Sequence, residues 1–124
     1  MAQLSEVQEN AGTRRGEPAS ISDPLLAEIV RRLAEVYRPE KVYLFGSTGR
    51  GEAGPDSDYD LMIVVPDDAP AALKKPDAGY RAMEGLSRSG DFLVWSRGDF
   101  DKRLHLRASL PATIVREGKL LYAA

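Results

Sequence analysis

Two short apolar runs, joined by a glycine-rich connection that ends in acidic residues, constrain this chain more than any other feature. Val42 to Phe45 and Tyr59 to Val65 are nearly continuous in strand-forming residues and read as buried strands. Pro66 closes the second run. Between them lie Gly46, Gly49, Gly51 and Gly54, and the second run opens on Asp58-Tyr59-Asp60. A strand that enters a small-residue turn and returns as a strand led by two aspartates fits a sheet with a polar rim. It does not fit a helical bundle.

The rest of the chain supplies helices around that sheet. Residues 1–20 are polar, lack apolar periodicity and read as a flexible tail, with residues 21–124 as a single domain. Asp23 is placed to cap a helix and Pro24 suits its first position. Leu25, Leu26, Ile29, Val30, Leu33, Val36 and Tyr37 recur at helical steps, and Pro39 ends the pattern. Residues 66–76 read as a proline-rich loop. A weak helix is expected over 77–86, where Gly79 and Gly85 count against it. A third strand is expected over Asp91 to Trp95, and a polar helix over 99–106. A last helix should run from its cap Ser109 to Glu117, stopped by Gly118. Leu120 to Tyr122 reads as a terminal strand. Helices alternate with strands, so the fold class is α/β (α+β).

The chemistry concentrates at the rim. Gly46 lets the backbone approach a ligand closely. Free N–H groups of a helix starting after it would favour a phosphate. Ser47 offers a hydroxyl and Arg50 a planar cationic fork. The spacing is neither that of a Walker loop nor that of the dinucleotide turn, and alone it reads as a surface turn. Asp58 and Asp60 sit two apart at the mouth of a strand, so both project from one face. Two carboxylates that close repel unless a cation lies between them. Asp91, at the start of the third strand, joins the pair if that strand neighbours the second. Three carboxylates can hold two divalent ions, or one ion and a general base. A calcium loop is excluded, since its sixth and twelfth positions hold Leu61 and Asp67.

Composition narrows the metal and the partner. There is no cysteine and one histidine, so any ion must be held mainly by carboxylate oxygens, as magnesium is. The formal net charge of −2 gives no basic excess, and direct nucleic-acid binding is not expected. No apolar run has the length of a membrane span and no apolar leader is present, so a cytoplasmic protein is expected.

Gly46-Ser47, ten residues, then Asp58-x-Asp60 resembles the Gly-Ser-x10-Asp-x-Asp signature of polymerase-β-like nucleotidyltransferases. The run Phe45 to Leu61 is similar to the minimal nucleotidyltransferase subgroup, and Ala112 to Tyr122 resembles the end of such domains. Gly49 departs mildly from the alanine common before the loop arginine. The resemblance implies a small mixed sheet with flanking helices, and ATP as substrate with Mg2+. It assigns Gly46 and Ser47 to the phosphates, and Asp58 and Asp60 to the metal. Asp91 becomes the third carboxylate, activating the acceptor, and Arg50 the loop arginine. It also implies a partner. Proteins of this subgroup are often encoded beside a HEPN (higher eukaryotes and prokaryotes nucleotide-binding) toxin, whose tyrosine they adenylylate as antitoxins. The length leaves no room for an acceptor-binding domain, so that surface is expected from a partner or from self-association. The competing readings are a small-molecule nucleotidyltransferase, with Asp67, Asp68 and Asp77 in an acidic acceptor pocket, and a non-catalytic antitoxin acting by contact. Among the tyrosines, Tyr43, Tyr59, Tyr80 and Tyr122 are candidate self-modification sites. His105 is expected at the surface and Trp95 in a core or interface.

Overall fold

The structure, a computed structural model, describes residues 21–45, 59–86 and 90–124. The expected tail, and Gly46, Ser47, Arg50 and Asp58, lie outside the described residues. Helix α1 spans Pro24–Tyr37. The Asp23 carboxylate accepts the N–H groups of Leu25 and Leu26, satisfying two of the orphan donors of the first turn. The helix stops before Pro39 because Arg38 turns left-handed, at φ 47°, and its N–H closes on the Ala34 carbonyl at 3.0 Å. Strands β1 (Lys41–Phe45) and β2 (Tyr59–Val65) follow. Helix α2 (Asp77–Ala82) leads to β3 (Gly90–Ser96) and the short α3 (Arg97–Asp101). Helix α4 (Leu110–Glu117) and β4 (Lys119–Ala123) finish the fold.

Among the described residues the four strands form one mixed sheet in the order β3-β2-β1-β4. β1 pairs antiparallel with both β2 and β4, while β2 and β3 run parallel. The alternation along each strand divides the core in two. One face carries Val42, Leu44, Leu61, Ile63, Val65 and Phe92 against Leu26, Ile29, Val30, Leu33 and Tyr37 of α1. The other carries Tyr43, Met62 and Val64 against Phe100 of α3 and Ile114 of α4. Tyr43 stacks on Phe100, with ring centroids 5.6 Å apart. Both faces of β2 are thus covered, which explains why its sequence is continuously apolar rather than alternating. Leu33 is fully buried. Leu33→Ala is expected to cost about 2–5 kcal/mol of stability, read from urea unfolding, because the helix cannot collapse into the space left.

Ion pairs tie α1 to its surroundings. Hydrogen bonds from Arg31 and then Arg32 hold the Glu28 carboxyl down at about 2. Its favourable charge therefore persists above the ordinary carboxylate range and is lost only as pH falls through about 2. Arg32 also donates to the carbonyls of Ala82 and Glu84 at 2.8 and 3.0 Å, closing the end of α2.

Four expectations are corrected. The loop over 66–76 contains a 3-10 turn, Ala71–Lys74, which starts after Pro70 and is tied down where Lys74 donates to the Asp67 carbonyl. The helix expected over 77–86 ends at Ala82, and Gly85 takes φ +88°. The polar helix expected over 99–106 starts at Arg97, with Ser96 as its cap, and ends at Asp101. Residues 101–108 are all exposed, so no apolar face holds further turns together and His105 lies in a turn. Gly118 does follow the last helix, but not through a left-handed conformation, since its φ is −87°. A Cβ there would lie 2.6 Å from the Leu44 carbonyl oxygen. Its role is close approach to β1. Trp95 is half-buried against the second core, as expected. Among the described residues no helix is long and apolar enough to cross a membrane.

Candidate active site

Asp60 and Asp91 lie side by side. In the parallel pairing of β2 with β3 they are register partners, so their side chains leave the same face of the sheet. Phe45, the last residue of β1, is the partner of Asp60 on its other side. A row Phe45–Asp60–Asp91 therefore crosses three strands at one end of the sheet. Adjacent strands are about 4.8 Å apart, which sets the scale of the carboxylate separation. This is the face of the second core, where Met62 and Trp95 continue the strands away from the carboxylates. Asp60 is half-buried in an otherwise buried strand, and Asp91 is exposed at the sheet edge. β1 ends immediately before Gly46, and β2 begins immediately after Asp58.

Three devices hold this end of the sheet. Gly90 pairs with Tyr59, and a Cβ on it would lie 2.3 Å from the Tyr59 carbonyl oxygen. Only glycine lets β3 start so close to β2 and set Asp91 beside Asp60. The Tyr59 hydroxyl donates to Asp23, so the cap of α1 also fixes the first residue of β2. Gly79 on α2 packs where a Cβ would meet the Phe92 ring at 2.9 Å, which brings α2 against β3 next to Asp91. Sequence reasoning took Asp23 only as a cap, Gly79 as a helix breaker and Gly90 as a neighbour of Asp91. The one available signal was glycine immediately before an aspartate at a strand start.

The donors fit a hard cation. Asp60 and Asp91 offer only carboxylate oxygens, at a spacing where two anions need a positive charge between them. Among the described residues no group of three or more potential ligands gathers, Asp58 being outside them. Two surface cavities, of about 430 and 460 Å³, lie elsewhere. The first is lined by Val94, Trp95, Ser96 and Lys102, the second by Glu40, Val64 and Arg97, at the far ends of β2 and β3. The acids of the competing small-molecule reading sit apart too. Asp67 follows the far end of β2, roughly 20 Å along the strand from Asp60. Its carboxylate accepts the Gly98 N–H at 2.8 Å, a structural task.

Solved structures share this fold. A candidate nucleotidyltransferase from Sulfolobus solfataricus superposes with a TM-score of 0.53 at 24% identity, over 80% of this chain and 78% of that one. A chain of a toxin–antitoxin complex with AMP-PNP gives 0.50 at 20% identity, over 78% and 73%. A chain of the toxin–antitoxin MntA–HpeT gives 0.52 at 18% identity, over 79% and 73%; that protein is a mutant with two aspartates, two positions apart, changed to glutamate. No curated protein matches the chain. The profile of the Nucleotidyltransferase domain matches residues 25–117, which include both strands of the carboxylate row, and the chain belongs to that family.

Proposed function

We propose that this nucleotidyltransferase moves AMP from ATP, with Mg2+, onto a tyrosine hydroxyl of a HEPN-type toxin, and so acts as its antitoxin. The observation that carries the reading is the in-register pair Asp60–Asp91 at the mouth of two parallel strands. Asp58 completes the set through its two-residue spacing from Asp60. The three carboxylates would hold magnesium, which supplies positive charge against the triphosphate. Asp91, the outermost, accepts the proton of the incoming hydroxyl. Gly46 and Ser47 donate to the phosphates, and Arg50 adds its cation to them. The new bond forms in line at the α-phosphorus while pyrophosphate leaves on the opposite side.

Two further facts support the partner. Two structures of the same fold come from toxin–antitoxin complexes, one of them with AMP-PNP. The aspartates replaced in the MntA–HpeT mutant have the spacing of Asp58 and Asp60. The experiment is incubation with α-labelled ATP, magnesium and the product of the neighbouring gene. Label on a tyrosine of that product is expected, with loss of its toxicity. Label on a small molecule alone would shift the acceptor class. Neutralisation that survives alanine at both Asp58 and Asp60 would point to inhibition by contact.

A further inference from the structure

The chain has five tyrosines, and the structure separates them. Tyr37, Tyr43 and Tyr59 are buried. Tyr37 donates to the Lys75 carbonyl and accepts the Gly79 N–H, while Tyr59 donates to Asp23. Tyr122 is half-buried on β4, at the opposite sheet edge from β3 and so roughly 14 Å away across three strand spacings. Tyr80 differs from all of them, being 45% exposed. Its ring lies against Phe92, with centroids 4.9 Å apart, and its hydroxyl oxygen accepts the Phe92 N–H at 3.4 Å.

Phe92 directly follows Asp91, so the Tyr80 oxygen sits one peptide unit from the Cα of Asp91. It lies in the plane of the sheet, because it is bonded to a strand N–H. It is also on the outer side of β3, whereas Asp60 is on the inner side. The long 3.4 Å bond holds it weakly. An in-line displacement at a phosphorus held over the carboxylate row needs its attacking oxygen opposite the leaving group. The open edge of β3 is such a side, and Tyr80 is the phenol standing on it.

We propose that Tyr80 is an internal acceptor, which the protein adenylylates on itself. The inference rests on the nucleotidyl-transfer reading above. The Tyr80 oxygen forms a bond to the α-phosphorus of ATP, and its proton passes to the Asp91 carboxylate. The bond from the α-phosphorus to the bridging oxygen breaks, and pyrophosphate leaves with that electron pair. The attached AMP then occupies the edge an outside hydroxyl must use. Self-modification therefore competes with transfer to a partner, and dominates when no partner is present.

The test uses the full chain with ATP and magnesium and no other protein, followed by intact mass and peptide mapping. One AMP adduct on the peptide bearing Tyr80 is expected, with a first-order rate that does not change on dilution. Tyr80→Phe should lose the adduct while keeping its thermal melt. Mapping the wild-type adduct keeps the test decisive if that variant misfolds. An adduct on another residue, or a rate that falls on dilution, overturns the internal step. An unmodified chain that still labels the neighbouring gene's product overturns the inference and leaves transfer standing. No label on either chain overturns both.

Discussion

Asp91→Asn is expected to lower nucleotidyl transfer by about 100- to 10,000-fold, the usual range for removing a positioned base. The same change should leave the fold as stable or make it more so. Asp91 faces Asp60 directly across the β2–β3 pairing, and like charges so placed are destabilising by roughly 0.2–1 kcal/mol. In chelator the melting temperature of the variant should therefore equal or exceed that of the wild type. Magnesium with a non-hydrolysable ATP analogue should reverse the order. At about 100 times its Kd a ligand stabilises the folded state by about 2.7 kcal/mol, and the variant, with one fewer carboxylate, should gain less. Transfer at the wild-type rate by Asp91→Asn would remove the third carboxylate from the mechanism.

Gly90→Ala is expected to be the most damaging single-methyl change at this end of the sheet. Its Cβ would meet the backbone oxygen of Tyr59 at 2.3 Å, and a backbone atom cannot swing aside as a side-chain end can. The strands must part, at a cost of about 1–3 kcal/mol for overpacking. They would part next to Asp91, and a misplacement of about 1 Å at a reacting group costs on the order of 100-fold in rate. Activity should fall further than loss of folded protein explains, which circular dichroism and kcat on the same sample would separate. Gly85→Ala is the control. It is strained by its φ of +88°, but its Cβ would meet nothing within 4 Å, so stability should drop with little change in kcat.

What the sequence made legible followed from local physics. The α1 stripe, its Asp23 cap and the continuous apolar run of β2 each depend on neighbours a few residues away, and each was found where the pattern placed it. The Ser109 cap of α4 was legible for the same reason. The helix expected over 99–106 failed because polar spacing permits a helix without supplying a face to bury. Gly79 and Gly118 were misjudged on conformational grounds, when what requires glycine at each is an atom distant in sequence, the Phe92 ring and the Leu44 carbonyl. The carboxylate site was half legible. The pairing of Asp60 with Asp91 depends on the register of two strands joined through residues 66–89, and no local pattern encodes it.

That register also makes the site conditional. Asp91 rides on an edge strand, held to the sheet on one side by β2 and on the other by contacts such as Phe92 with Tyr80. Edge elements open more readily than the centre of a domain. Fraying of β3 would carry Asp91 away from Asp60 while β1, β2 and α1 stayed packed. The chain could thus lose its chemistry without unfolding, and amide exchange along β3, rather than global melting, would measure how often the site is assembled.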